Sequence, residues 1–244
     1  MTTKLIYITE LLLKTVFLQR NIIIARRFGF LVFLIMASMS AQAENNTMKL
    51  ECADPRNKGV EANLIRSLAS GVAIRKSSHQ LQIKTDIRVM SFLDEPPYDE
   101  PIGGKHYYFC DRKSGFILLT TLDSTDFTGT LINEKTGAVS PGGETIIFSI
   151  DNRAYFLSEH SSGMDGDKWK IYSMSGKLSW EGYNFIPRED NQSFMYAYLN
   201  DPTWSPSGEF TATAQCTKLL DKTWRVTLKK IKGAWDWSPK RKCE

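Results

Sequence analysis

From residue 79 onward the apolar residues recur at a period of two, in short runs broken by turn residues, and that period admits strands and little else. In His79 to Met90, Leu81, Ile83, Ile87 and Val89 alternate with Gln80, Gln82, Lys84, Asp86 and Arg88, which predicts a half-buried strand or a hairpin bent near Thr85-Asp86. Aromatic or branched runs follow at Tyr107 to Cys110 and Phe116 to Leu122, with Lys113-Ser114-Gly115 as the turn between them. Phe127 to Asn133, Thr145 to Ile150, Ala154 to Leu157, Trp169 to Ser173, Phe194 to Leu199, Phe210 to Cys216 and Thr223 to Ile231 continue the pattern. One helix is expected, Val60 to Ala69, with Leu64, Ile65 and Leu68 on one face and Gly71 as its stop. The fold class is therefore all-β with a short N-terminal helix.

Two segments repeat. Ser140-Pro141-Gly142-Gly143-Glu144 precedes one apolar run and Ser205-Pro206-Ser207-Gly208-Glu209 precedes another. Downstream, Trp169-Lys170-Ile171 matches Trp224-Arg225-Val226, and Lys177 and Trp180 match Lys232 and Trp235. The two offsets differ, and the difference falls around Leu157 to Asp167, which reads as a loop inserted into the first unit. Repeated units of a turn, a buried strand and an outer strand predict a β-propeller-like array of about four to five irregular blades, with a β-sandwich as the competing arrangement. Pro202-Thr203-Trp204-Ser205-Pro206-Ser207-Gly208-Glu209 resembles the opening of TolB-type propeller blades, and Ile171-Tyr172-Ser173-Met174-Ser175-Gly176 resembles a later strand of the same blade. The resemblance covers about half of the exported part and implies architecture only, because propellers host many functions. The matched tryptophans Trp169, Trp180, Trp224 and Trp235 are expected in blade cores. Trp237, beside Lys240-Arg241-Lys242, is expected at a basic, aromatic surface.

The N-terminus reads as a signal peptide over residues 1–43. Arg26 and Arg27 precede the uncharged run Phe28 to Ala37, and Ala41-Gln42-Ala43 offers a small-x-small cleavage site before Glu44. An uncleaved anchor is the alternative, because a second apolar run, Leu11 to Leu18, lies upstream. Residues 44–104 then supply an arm, the helix and the first strands, and residues 105–244 the repeated sheet units of the same domain. The whole chain carries +4, and the leader's five basic residues and one acid account for all of it. The exported part is formally neutral, which argues against nucleic acid as partner. Its charge is uneven. Asp94 to Glu100 holds four acids and two prolines, and residues 218–244 hold nine Lys or Arg against three acids. All four cysteines follow the leader, as expected for two disulfides in an oxidising compartment. Three pairings are open, of which Cys52–Cys110 and Cys216–Cys243 are favoured.

No catalytic motif is present: Gly-x-Ser-x-Gly is absent, and no Cys-x-x-Cys pair suggests zinc. His79 and His106 read as ordinary polar residues beside strands. The inserted loop is the candidate site, with Glu159, His160, Met164 and Asp165 as binding residues. Asp165 and Asp167, one residue apart beside glycines, are candidate Ca²⁺ ligands; no other cofactor is implied. The expected function is a non-catalytic, exported or periplasmic protein-binding module, not membrane-bound once the leader is cut. It would serve as inhibitor or immunity protein against a cell-wall (peptidoglycan) hydrolase. The alternatives are a TolB-like envelope scaffold and an enzyme acting on cell-wall polysaccharide.

Overall fold

The computed structural model describes residues 47–52, 58–98, 103–123, 126–160, 166–187 and 195–243. The signal-peptide segment, Met164 and Asp165 lie outside the described residues. One helix, α1 (Lys58–Leu68), and a series of antiparallel strands form the rest, so the chain is mostly β. The helix ends where Gly71 takes φ +78°, a left-handed conformation that side chains rarely adopt.

Four meandering sheets follow one another along the chain. Sheet I holds β2 (Ala73–Ser77), β3 (Gln80–Lys84) and β4 (Val89–Leu93). The bend expected near Thr85-Asp86 is the β3–β4 hairpin, where the Thr85 N–H donates to Arg88 O at 2.8 Å. Sheet II holds β5 (Lys105–Lys113), β6 (Phe116–Asp123), β7 (Asp126–Asn133) and β8 (Val139–Gly142). Sheet III holds β9 (Thr145–Phe148), β10 (Ala154–Glu159), β11 (Lys168–Ser173) and β12 (Leu178–Tyr183), with the N-terminal β1 (Lys49–Glu51) paired to β9. Sheet IV holds β13 (Phe185–Pro187), β14 (Met195–Trp204), β15 (Phe210–Cys216), β16 (Thr223–Ile231) and β17 (Ala234–Ser238).

Three apolar cores join these sheets in series. The first lies between α1, sheet I and sheet II, around Leu81, Ile83, Phe109, Ile117 and Leu119. The second lies between sheets II and III, around Leu118, Leu131, Phe148 and Tyr155. The third lies between sheets III and IV, around Phe156, Trp169, Phe210, Trp224 and Trp237. Sheets II and III are covered on both faces. Successive residues therefore enter different cores: Ile117 and Leu119 point one way and Leu118 the other, as do Ile146 and Phe148 against Ile147. This explains why β6, β9 and β10 read as unbroken apolar runs, whereas β3, with one open face, alternates. Among the described residues no buried core joins sheet I to sheet IV.

The sequence repeat is real in its second half and misleading in its first. Ser205 to Glu209 is the hairpin turn between β14 and β15: the Glu209 N–H donates to Ser205 Oγ at 3.0 Å and the Gly208 N–H to Ser205 O at 2.9 Å. The same turn recurs at Ser173 to Lys177, and a form one residue longer at Ser149 to Ala154, where the Ala154 N–H donates to Ser149 Oγ at 3.0 Å. Each places a left-handed residue at one position, Gly208 at +82°, Gly176 at +81° and Asn152 at +53°. The structural partner of Ser205 to Glu209 in sheet III is thus the β9–β10 turn, Ser149 to Ala154, and not Ser140 to Glu144. The latter segment carries the chain from β8 of sheet II into β9 of sheet III. Its glycines serve close backbone approach: a Cβ on Gly143 would stand 2.2 Å from Ser158 O, and one on Gly142 2.7 Å from Thr130 N. With the units so aligned, the β10–β11 connection, residues 160–167, faces a β15–β16 connection of residues 217–222. The expected large insertion therefore shrinks to about two residues.

Two disulfides are present, Cys52–Cys110 and Cys216–Cys243, and no cysteine is free. The second pins the basic C-terminus to sheet IV. Trp224 Nε1 donates to Pro239 O at 2.9 Å, Tyr196 Oη to Arg241 O at 2.5 Å, and the Cys243 N–H to Tyr196 Oη at 2.7 Å. Trp237 is a core residue and no part of an exposed surface: its ring meets Trp180 edge-on at 5.8 Å and Trp169 at 6.2 Å. The Cys216→Ala/Cys243→Ala double variant releases a separation of 27 residues and is expected to lose about 2–4 kcal/mol of stability in urea titration. Among the described residues no helix is long and apolar enough to cross a membrane.

Candidate functional site

A cleft of about 580 Å³ lies between α1, sheet I and the start of sheet II. Its polar groups come from five separate segments. Glu61 stands in the first turn of α1, Arg75 on β2, His79 in the turn before β3, and Asp94 just past β4. His106 and Tyr108, two residues apart on β5, share one face of that strand. The chain between Asp94 and β5 is closed by a reciprocal pair, Glu95 N–H to Lys105 O at 2.8 Å and Lys105 N–H to Glu95 O at 3.0 Å. That closure brings Asp94 and Tyr98 into the cleft, and the Asp94 N–H donates to His79 O at 2.9 Å. Gly104 is required there, since a Cβ would meet Pro97 O at 2.4 Å.

Glu61 and Arg75 form a two-pronged pair: Nε donates to Oε2 at 2.9 Å and Nη2 to Oε1 at 3.0 Å. Glu61 Oε1 also accepts the Phe109 N–H at 2.7 Å, and Arg75 Nη2 donates to Tyr107 O. Both Glu61 oxygens are thus engaged, by three hydrogen bonds, and the pair neutralises most of the guanidinium charge. Asp94, 5 % exposed, accepts the Tyr107 N–H on Oδ1 at 2.9 Å. Among the described residues its Oδ2 is surrounded but not hydrogen-bonded: His106 Nδ1 stands at 3.7 Å, His79 Nδ1 at 3.9 Å and Arg75 Nη1 at 3.9 Å. Among the described residues Arg75 Nη1 is buried with no hydrogen-bond partner. His79 stacks on Tyr98 at 3.9 Å between ring centres, and Arg75 lies 5.7 Å from the centre of the Tyr108 ring. Burial, reinforced by the Asp94 charge and opposed by Arg75, pushes the Tyr108 phenol above its ordinary range, so it stays a neutral hydroxyl.

The expected loop site is placed only in part. Glu159 Oε2 accepts from Lys170 Nζ at 2.6 Å, with both side chains mostly buried. Burial presses the Lys170 ammonium down, but the Glu159 bond and charge outweigh it and raise its pKa. Glu159 is thus an anchor of the β10–β11 hairpin. His160 Nδ1 lies 2.8 Å from Asp167 Oδ1. The Asp167 N–H donates to Asn184 Oδ1 at 3.0 Å, and Asn184 Nδ2 approaches Asp167 Oδ2 at 3.3 Å. Both Asp167 oxygens are therefore engaged within the protein. Of the candidate binding residues only His160 is described as exposed. Among the described residues no group of three or more His, Cys, Asp or Glu is arranged to hold a metal ion.

The cleft residues are the ones sequence reasoning passed over. His79, His106 and the acidic Pro-rich segment were each read as ordinary surface features, and only the pairing of β3 with β4 and the closure at Glu95 bring them together. The one available signal was that two of three histidines flank that acidic segment. No protein-family model, no curated protein and no solved structure matches the chain.

Proposed function

We propose that this is an exported, non-catalytic binding protein whose ligand enters the cleft at Asp94. The observation that carries the reading is the convergence of Asp94, His79, His106, Tyr98 and Tyr108 on one cleft of about 580 Å³, with His106 Nδ1 3.7 Å and His79 Nδ1 3.9 Å from Asp94 Oδ2. Binding is favoured over hydrolysis because a glycosidase needs two carboxylates with free oxygens. Both oxygens of Glu61 are held by Arg75 and the Phe109 N–H, which leaves Asp94 as the lining carboxylate with an oxygen that carries no hydrogen bond among the described residues. Two disulfides with no free thiol support an oxidising compartment and, with the leader, export. Four consecutive meanders packed face to face support an open blade array of the propeller kind.

A second reading, inhibition of a cell-wall hydrolase, attaches to the β10–β11 loop. It draws on the anchored base, Glu159–Lys170 and Asp167–Asn184, which presents His160 with its side chain 58 % exposed. Histidine NMR separates the two. The chain has three histidines, two at the cleft and one on the loop. Cell-envelope extract added to the untagged protein is expected to shift the imidazole signals of His79 and His106 and leave His160 unmoved. A shift of His160 alone would transfer recognition to the loop. Three unmoved signals would end the cleft reading.

A further inference from the structure

We infer that the end of sheet IV formed by the β15–β16 connection and the segment after β17 is a peripheral docking surface for an anionic lipid bilayer; the inference is independent of the cleft. The connection, residues 217–222, reads Thr-Lys-Leu-Leu-Asp-Lys, and its leucines stand in the turn, Leu219 40 % and Leu220 63 % exposed. Among the described residues neither belongs to an apolar core. Folding therefore does not account for them, since a turn is ordinarily built from Gly, Asn, Asp, Ser or Pro. Exposed leucines scattered singly need no explanation. What sets this adjacent pair apart is its rim. Residues 218–222 and 240–242 together hold five Lys or Arg against one acid, Asp221. Lys218, Lys240, Arg241 and Lys242 are exposed and Lys222 is half-buried.

The fold sets the two segments side by side. The Cys216–Cys243 disulfide joins the start of one to the end of the other. Tyr196 holds both: its carbonyl accepts the Thr217 N–H at 3.4 Å, and its hydroxyl donates to Arg241 O at 2.5 Å and accepts the Cys243 N–H at 2.7 Å. Lys222 Nζ donates across to Lys242 O at 2.5 Å. Arg241 and Lys242 are thus fixed through their backbones, while Lys240 shares its charge with Asp236 at 2.9 Å. The turn is fixed too, by the Lys222 N–H on Leu219 O at 2.9 Å and Gln215 Nε2 on Leu220 O at 2.6 Å. A turn already fixed loses little freedom on docking. A bilayer offers both things that this surface asks for: anionic headgroups for the cations, and an acyl boundary that takes up protruding apolar side chains. An acidic protein would meet the cations but would also need a pocket shaped for two leucines projecting from a turn. The contact is peripheral, a turn at headgroup level, and departs from the expectation of a chain clear of the membrane once its leader is cut.

The test is co-sedimentation of the untagged full chain with two kinds of vesicle, phosphatidylcholine alone and phosphatidylcholine mixed with phosphatidylglycerol, and binding to soluble polyglutamate as an acidic polypeptide. Every variant carries the same N-terminus as the wild type, so a leader, cut or uncut, contributes equally. The wild type is expected to sediment with the mixed vesicles, and less so as salt rises. Lys218→Gln/Arg241→Gln/Lys242→Gln is expected to weaken that binding about a hundredfold, at about fivefold per charge. Leu219→Ser/Leu220→Ser is expected to weaken it about tenfold or more. Both variants change exposed side chains and are expected to melt with the wild type; the single Leu220→Ser serves should the double variant fail to fold. Undiminished binding by the leucine variant, or equal sedimentation with the two kinds of vesicle, would overturn the proposal. So would failure to sediment with the mixed vesicles, and binding to polyglutamate in that case would assign the surface to an acidic protein.

Discussion

Arg75→Met is expected to destabilise the fold by about 3–5 kcal/mol, because it strands a mostly buried carboxylate. The Glu61 side chain is 12 % exposed and the Arg75 side chain 22 %. Without the guanidinium, Glu61 keeps only the Phe109 N–H, Tyr107 O loses its donor, and Asp94 loses the nearest full positive charge. Partial exposure of Arg75 lets water recover some of this, so the lower end of the range is the better figure. For a domain of this length that is a fall in melting temperature of about 6–12 °C. Arg75→Lys should rescue little, since one ammonium cannot reproduce two parallel bonds to Glu61 and a third to Tyr107. Glu61→Leu combined with Arg75→Met should recover most of the loss, because the unpaired charge is then gone. Urea titration of the three variants is the measurement. A loss under about 1 kcal/mol for Arg75→Met would mean that the pair behaves as an exposed ion pair, and the frame that holds Asp94 in place would need another explanation.

The same pair explains why the cleft was hard to read from the chain. Glu61, Arg75, Asp94 and His106 are spread over more than forty residues, and each in isolation has the look of solvated surface. Nothing in the local spacing of Arg75 indicates that its side chain crosses to Glu61, fourteen residues back, and to the backbone of Tyr107, thirty-two residues on. The strands, by contrast, were legible because their information is local. Phe116 to Leu122 and Thr145 to Ile150 are apolar on consecutive residues, which only a sheet covered on both faces tolerates. The helix was legible for the same reason, through Leu64 and Ile65 and the glycine that stops it. The Ser-Pro-x-Gly-Glu match failed because two different physical needs favour similar residues. At Ser205 to Glu209 glycine supplies a left-handed turn, while at Ser140 to Glu144 it lets three backbone segments touch. The loop site rested on that match, and its apparent insertion goes with it.

Trp237→Ala is expected to cost about 3–5 kcal/mol, as for a large aromatic removed from a filled core. Trp235→Ala, two residues away, is expected to cost under about 1 kcal/mol. The repeat alone assigns the opposite ranking, since it pairs Trp235 with Trp180 and leaves Trp237 outside the blade. Both side chains project from the same face of β17, so alternation does not distinguish them. Position along the strand does. Trp235 sits near the start of β17, 41 % exposed, with its Nε1 donating to Ser179 O at 3.1 Å and Lys230 lying over its ring at 5.2 Å. Trp237 lies further in, opposite Leu228, where its ring meets Trp169, Trp180 and Phe210 within 6.2 Å. It therefore ties sheet IV to sheet III. Trp180 closes over its edge at 5.8 Å and 89°, and the absence of a side chain at Gly182, whose Cβ would stand 2.5 Å from the Trp180 ring, lets that ring lie against its own strand. A double-mutant cycle on Trp180 and Trp237 should give a coupling of about 0.5–1.5 kcal/mol. Equal losses for Trp235→Ala and Trp237→Ala, or no coupling between Trp180 and Trp237, would show that the two sheets are held together elsewhere than at this aromatic contact.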